Sequence, residues 1–416
     1  MTRREFLEKS AVLGAGLTMS PLMVRMAAKP VGANDKIHVG LIGCRSQGFG
    51  DLNAFLGNPD VDCIALCDVD NGILEQRAAD VEKIQGKKVK HLYKDWRKLI
   101  DNKDIDVVII GTPDHWHCLQ LVAACEAGKD VYCEKPLGNS IEECNIMVRA
   151  AEKYNRIVQV GQWQRSDPHW QDAMAFVHSG KLGKIRTVRV FSYQGWCPSI
   201  PVQPDQPVPD GVDYDMWLGP APVKPYHPHR VHQSFRGYWD YESGGLGDMG
   251  QHYIDPVQYF LGKDNDLPVK VEVDAPQQHP DAVGIWRSIT YTYADGCKII
   301  LEGEGFESSG KVPYLEGPNG KVYKGFECTI PNVMDVINEL PDPEPRQVDF
   351  LDCVKNRQKF ALNEENGHHS CTIVNMGSCA LRLGRTLNFD PDKQMFINDD
   401  AANLLINQPM RGPWSI

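Results

Sequence analysis

The stretch IHVGLIGCRSQG, residues 37–48, decides the fold. A six-residue apolar run ends at Gly43, and a glycine-rich turn leads into residues 48–57, whose spacing predicts a helix. A strand, a tight turn and a helix N-terminus make a phosphate cradle, because the first N–H groups of the helix point at the ligand. In the dinucleotide form G-x-G-x-x-G, the middle glycine lets the backbone approach the pyrophosphate. Arg45 stands at that position here, between Gly43 and Gly48, so the motif is degenerate and its surroundings must carry the reading.

The surroundings do so. Residues 61–67 are a second apolar run ending at Asp68, and 71–85 are helical in pattern. A short helix at 95–100 precedes DVVIIG at 106–111, a β-branched strand followed by Thr112-Pro113. Residues 115–127 read as a helix closed by Gly128, 129–135 as a strand, 140–154 as a helix and 156–161 as a further strand. Strands alternating with helices over short loops predict a parallel, doubly wound α/β sheet, which binds ligand at the carboxyl ends of its strands. Asp68 is placed to accept from both hydroxyls of an adenosine ribose and to repel a 2′-phosphate, which favours NAD over NADP. Arg45, able to reach a phosphate, keeps NADP as the alternative.

The chain begins Thr2-Arg3-Arg4-Glu5-Phe6-Leu7 after Met1, with a soft apolar stretch from Ala11 to Val24 and then Ala27-Ala28. A basic start, a short apolar region and small residues predict an export signal, and the arginine pair resembles a twin-arginine signal. The expected location is therefore the periplasm or beyond. The stretch is shorter than the ~20 apolar residues of a membrane span, so no stable membrane span is expected. With residues 1–33 set aside, the length suits two domains, at 34–160 and 161–416, the second with a C-terminal extension. The net charge is −11 without a long basic run, which disfavours nucleic acid as a partner. Thirteen cysteines, an odd number with no C-x-x-C pair, argue against a disulfide framework or a thiolate metal site. Cys63 and Cys67 lie in an apolar run, where cysteine acts as a small hydrophobe.

Two further clusters complete the pattern: Cys133-Glu134-Lys135-Pro136, and Gly244-Gly-Leu-Gly-Asp248-Met-Gly-Gln-His252. With these the chain resembles the Gfo/Idh/MocA oxidoreductases, named for glucose–fructose oxidoreductase and inositol dehydrogenase. Thr112-Pro113-Asp114-His115-Trp116-His117 is similar to the family's T-P-N-x-x-H loop, with Asp114 where Asn is usual. Glu134-Lys135-Pro136 matches its E-K-P signature, and Gly244 to His252 its G-G-x-x-x-D-x-G-x-H cluster. Residues 160–165, VGQWQR, are similar to its interdomain crossing. The resemblance implies an N-terminal Rossmann domain and a C-terminal α/β domain with a large, mostly antiparallel, open-faced sheet used in dimers or tetramers. It also implies that Lys135 and His252 face the nicotinamide. Cofactor contacts are then expected at Gly43, Arg45, Gln47, Gly48, Asp68, Thr112, Pro113, His117, Glu134, Lys135 and Gln162.

The residue chemistry agrees. Oxidising an alcohol requires a hydride acceptor and a base. Asp248 and His252, four apart, share a helix face, and histidine titrates nearest neutrality, so His252 is the expected proton shuttle. Asp248 would orient the substrate or the imidazole, and Lys135 would stabilise the developing alkoxide. Substrate contacts are expected from Lys135, Trp163, Arg165, Tyr238, Asp248 and His252, with Gln162 and Asp240 as polar neighbours. Trp163, Trp170, Trp196, Trp217, Trp239, Tyr238 and Tyr241 offer rings on which apolar sugar faces stack, with core packing as the alternative. The proline-rich stretch 198–225 is expected as a long ordered loop, without regular helix or strand. His227, His229 and His232 invite a metal, but Pro228 breaks helical ligand spacing and none is expected. His368-His369 reads as the start of a helix at 371–384, and the tail ending Pro413-Trp414 as wrapping back onto a domain. The leading expectation is an exported NAD enzyme acting on a sugar, glycoside or polyol, with its cofactor kept bound. The alternatives are glycoside cleavage by oxidation, elimination and reduction, and a non-catalytic sugar-binding protein.

Overall fold

The computed structural model describes residues 36–166, 168–191, 202–303, 312–323, 327–341, 350–359 and 362–416. The expected export segment and Trp196 lie outside the described residues.

The first domain alternates as the sequence suggests. Its elements are β1 Ile37–Ile42, α1 Ser46–Leu56, β2 Val61–Cys67, α2 Asn71–Gln85, β3 His91–Tyr93, α3 Trp96–Ile100, β4 Val107–Ile110, α4 His117–Glu126, β5 Asp130–Cys133, α5 Ile141–Lys153 and β6 Val158–Val160. The strands run parallel in the order β3-β2-β1-β4-β5-β6. The order reverses between β1 and β4, and the crevice outside their carboxyl ends is where such a sheet takes its ligand. Central strands β2 and β4 are buried along their whole length, as their apolar runs require. The edge strand β3 is the one that sequence reading passed over. His91-Leu92-Tyr93 is half exposed and carries no apolar run to mark it.

The chain then forms α6 Pro168–His178, β7 Thr187–Phe191, α7 Tyr214–Leu218, α8 Gly244–Leu261, β8 Lys270–Asp274, β9 Ser288–Thr292, β10 Lys298–Glu302, β11 Leu315–Gly317, β12 Gly320–Val322, α9 Val333–Glu339, α10 Phe350–Asn356, α11 Glu364–Leu383, β13 Leu387–Asp390, β14 Met395–Phe396 and α12 Asp400–Asn403. Eight strands make one mixed sheet, β12-β11-β7-β10-β9-β8-β13-β14, with β7 and β10 its one parallel pair. Along β9 and β10, Ile289, Tyr291, Ile299 and Leu301 are buried, while Thr290, Thr292, Ile300 and Glu302 are half-buried on the other face. The buried side joins α6, α8 and α11 in a core that includes Phe176, Leu246, Ile254, Trp286 and Val374. Helix α11 ties the two domains together, packing on α8 and β8 on one side and on α5 and β6 on the other.

Two expectations are corrected. Helix α11 begins at Glu364 rather than 371, because the Asn363 side chain caps it, accepting from the Glu365 and Asn366 N–H groups. His368 and His369 therefore lie inside the helix. The proline-rich stretch also holds a regular element, α7, capped by the Asp213 carboxylate on the Met216 N–H. The cysteines among the described residues are free thiols, all buried except Cys328, which is half-buried. No helix among the described residues is long and apolar enough to cross a membrane.

Candidate active site

The nucleotide cradle is built from backbone. Gly43 has φ +86°, a conformation that favours glycine. A Cβ on Gly48 would lie 2.2 Å from the Gly43 carbonyl oxygen, and one on Gly111 would lie 2.4 Å from the Gly48 Cα. The ends of β1 and β4 and the start of α1 thus pack backbone to backbone. Helices α2, α3, α5 and α11 have side-chain caps, whereas α1 has none. That leaves the start of α1 suited to an anionic group. The Asp68 carboxylate accepts from the Cys44 N–H (2.8 Å) and the Asp70 N–H (2.9 Å), each oxygen keeping a further lone pair. Arg45 is paired with Asp70 at 2.5 Å. Two carboxylates against one guanidinium at this end of β2 suit a ribose and oppose a 2′-phosphate. These residues fit NAD and give Arg45 a different duty from phosphate binding. The Gln47 side chain bonds Asp51 rather than facing the crevice (3.0 Å).

Facing the cradle, the β5 terminus delivers Lys135 onto the first turns of α8. The Lys135 ammonium donates to the Asp248 carbonyl (2.6 Å) and carboxylate (2.8 Å). Burial pulls the Lys135 pKa down, but Asp248 and Glu134 outweigh it and hold the ammonium above its ordinary value. Arg236 also donates to Asp248 (3.1 Å) and lies 3.4 Å from the Glu242 carboxylate. His252, one turn beyond Asp248, sits with its ring centroid 5.9 Å from that of Trp163. Burial, with help from Lys135, pushes the imidazole down to about 3. It is therefore neutral at physiological pH, which corrects the expectation of a group titrating near neutrality. Asp248 directs its carboxylate to Lys135 and Arg236.

The structure thus brings Lys135, Asp248, His252 and Trp163 together beside the cradle. It turns other expected contacts inward. Arg165, 2% exposed, is clasped by Asp255 (2.6 Å) and Asp264 (2.6 Å), so its guanidinium is turned into the protein rather than towards a substrate. Gln162 is buried between Asp255 (2.9 Å) and Gln251 (2.8 Å), so its amide fastens the interdomain crossing to α8. Tyr238 is fully buried beneath Arg230, 4.8 Å over the ring. Both His117 nitrogens face backbone carbonyls, those of Pro136 (2.8 Å) and Thr112 (2.9 Å), so the ring braces two loops. The Thr112 hydroxyl donates to Gln120 (2.8 Å), and Pro113 leads into a 3₁₀ turn at Asp114–Trp116. The Glu134 carboxylate is buried under the Tyr132 hydroxyl (3.0 Å). Most of the aromatic rings prove to be packing: Trp170 stacks on Phe260, and Trp217, Trp239 and Tyr241 are buried. The tail does wrap back, with Trp414 set against Trp96 and Trp116 of the first domain. Among the described residues no group of three or more His, Cys, Asp or Glu side chains is arranged to hold a metal.

Sequence reading missed three ionisable members of the cluster: Arg236, Glu242 and, as a titratable group, Asp114. Burial pushes Asp114 up to about 8, with Asp248 adding to it against Arg236 and Lys135. The substitution of Asp for Asn within the T-P-D-H-W-H loop was the available signal; Arg236 and Glu242 carried none.

A glycine cradle at a sheet switch point, facing Lys135 just past the end of β5 and Asp248 and His252 on α8, is an arrangement suited to a dinucleotide and hydride chemistry. Residues 37–162 match the model described as the oxidoreductase family, NAD-binding Rossmann fold, and residues 167–416 match the same family's C-terminal alpha/beta domain. The chain belongs to this Gfo/Idh/MocA oxidoreductase family. A levoglucosan dehydrogenase of Pseudarthrobacter phenanthrenivorans is 30% identical over 211 residues, 51% of this chain and 45% of that protein. A glycosyl hydrolase family 109 protein of a Shewanella species is 31% identical over 170 residues, 36% of this chain and 37% of that protein. These matches span less than half the length of either relative. The WlbA dehydrogenase of Bordetella pertussis, solved with NADH and UDP-GlcNAcA, shares the fold with a TM-score of 0.61 at 16% identity, over 85% of this chain and 99% of that one.

Proposed function

We propose that this protein transfers hydride between NAD and a ring or chain hydroxyl of a sugar, glycoside or polyol, with C3 of a glucoside as the preferred position. The observation that carries this reading is the Lys135 ammonium, held at 2.8 Å by Asp248 beside His252, at the mouth of a glycine cradle. When bound, NAD supplies the hydride acceptor. Lys135 donates to the reacting oxygen and stabilises the alkoxide as it forms. Asp248 fixes the ammonium, and His252, as a neutral imidazole, orients the hydroxyl. Trp163, half-buried against His252, gives a flat wall for an apolar sugar face. The levoglucosan dehydrogenase likeness supports a carbohydrate substrate.

The likeness to a glycosyl hydrolase family protein favours a second reading, in which the same oxidation sets up elimination and the cofactor is restored. Incubation with a glycoside panel separates the two. Net NADH with an intact glycosidic bond supports the dehydrogenase, and free aglycone with unchanged NAD supports the second. Neither product from any glycoside or polyol would sink both. We also propose export by the twin-arginine-type start, a resident cofactor, and pairing of copies through the half-buried face of the eight-stranded sheet. Cell fractionation, mass analysis of released nucleotide and sedimentation test these in turn.

A further inference from the structure

The charge cluster around Lys135 holds four buried carboxyls and two cations; one of the carboxyls, Glu134, accepts from the Tyr132 hydroxyl (3.0 Å). Asp114, Glu242 and Asp248 are 3%, 1% and 8% exposed. Lys135 and Arg236 answer them, both on Asp248 and Arg236 also on Glu242. A surplus buried negative charge is expensive, and protonation is the ordinary way out. Asp248 receives direct charge-assisted bonds from both cations and is the member best kept ionised. The two Glu242 oxygens and Asp114 Oδ2 have no hydrogen-bond partner. Burial raises the Glu242 carboxyl well above its ordinary value, and Asp114 and Asp248 raise it further against Arg236 and Lys135.

Glu242 also has a second outlook. It lines a polar cavity of about 10 Å³ with Asn139, Ser140, Asn375, Ser378, Arg382 and Gln408. That is the room of one water. The groups facing Glu242 are Arg236 from the preceding turn, Asp248 from α8, Asp114 and Lys135 from the first domain, and Arg382 with Cys379 from α11. Glu242 is thus the member of the cluster that also lines this cavity.

We propose that Glu242 is the proton store of this site, holding a proton in the resting protein and exchanging it with solvent through the water-sized cavity behind it. Once NAD⁺ is bound and the Glu242 proton has been released, the hydride leaves the carbon for the nicotinamide; Lys135 passes one of its protons to the Glu242 carboxylate and takes up the hydroxyl proton in its place. Glu242 gives that proton to the cavity water when positive charge next arrives beside Lys135. Glu242 touches no reacting atom, so it is a positioning residue. Its part in turnover rests on the oxidoreductase reading, but its protonation does not.

The test begins on the protein freed of any resident nucleotide, the state in which Glu242 keeps its proton. Infrared spectra at neutral pH, with ¹³C-glutamate labelling to separate Glu from Asp, should show a protonated Glu carbonyl band with a component that is lost in Glu242→Gln, while the contribution of the other raised carboxyls, Glu134 and Glu143, remains. An unchanged band in that variant overturns the proposal. The heat of binding NAD⁺ and NADH to the same protein is then measured in buffers of different ionisation heat. NAD⁺ should release about one proton per site in the wild type and about none in Glu242→Gln, while NADH releases none in either. Equal release in wild type and variant overturns the hand-over. Failure of the wild type to bind NAD⁺ at all would refute the oxidoreductase reading instead, leaving the infrared band to decide where the resting proton sits. Glu242→Asp, which keeps the carboxyl, should restore part of the release. A merely structural role would not separate Asp from Gln in this way.

Discussion

Replacing Arg165 by Ala tests most sharply how the interdomain crossing is held to the second domain. The guanidinium makes charge-assisted bonds to Asp255 (2.6 and 2.9 Å) and Asp264 (2.8 and 2.6 Å), and also reaches the Asp255 carbonyl (3.1 Å). Arg165 is 2% exposed and Asp255 is fully buried, so the change leaves a carboxylate in the interior with the Gln162 amide as a remaining donor. Breaking a buried ion pair from one side costs about 3–5 kcal/mol. The cost should depend on pH. Burial holds Asp255 up at about 6 even against the pull of Arg165, above its value of about 4 in an unfolded chain. Its contribution to stability is therefore complete below about pH 4 and lost as pH rises through about 6. Without Arg165 the folded pKa moves higher still, so the variant goes on losing stability where the wild type has levelled off. Urea unfolding at pH 5 and pH 8 should show a deficit that grows with pH, and Arg165→Ala with Asp255→Asn should recover much of it. A deficit below about 1 kcal/mol at both pH values, of the size of a surface pair, would refute the reasoning.

Other outcomes follow from the site. Lys135→Met should lower turnover by about 10²–10³-fold, the scale of losing one preorganised donor, with NAD affinity by calorimetry little changed. Gly48→Ala would put a methyl 2.2 Å from the Gly43 carbonyl oxygen and should cost about 1–3 kcal/mol in melting experiments, with weaker NAD binding. Asp68→Ala should weaken NAD by about 10–100-fold, the value of charge-assisted bonds to the ribose, and narrow its advantage over NADP in competition binding.

Legibility in the sequence followed the strength of the local signal. Strands β1, β2 and β4 announce themselves because strands buried on both faces must be apolar along their length. Helix α2 is delimited by Asp70 before it and Gly86 after it. Edge strand β3 and the start of α11 were hidden, since a half-exposed strand and a polar first turn look like loop. The grouping of Lys135, Asp248 and His252 was legible because their spacing is tied to a strand end and a helix face. Arg165, Gln162 and Tyr238 were misread because polar and aromatic side chains suit a buried network as well as a sugar. Only the three-dimensional partners, Asp255, Gln251 and Arg230, decide between the two. Glu242 and Arg236 fall outside every motif, and their meaning comes from charges supplied by distant parts of the chain.

The most direct test of the account follows the hydride itself. The protein is mixed with glycosides and polyols deuterated at single carbinol carbons, and reduced nicotinamide is followed in a single turnover and then analysed by mass. The account requires reduced nicotinamide carrying deuterium from one ring position, in the wild type and not in Lys135→Met. Transient reduction that reverts as aglycone appears would move the protein to the elimination reading. Bound NAD that never acquires deuterium from any sugar or polyol would contradict the account.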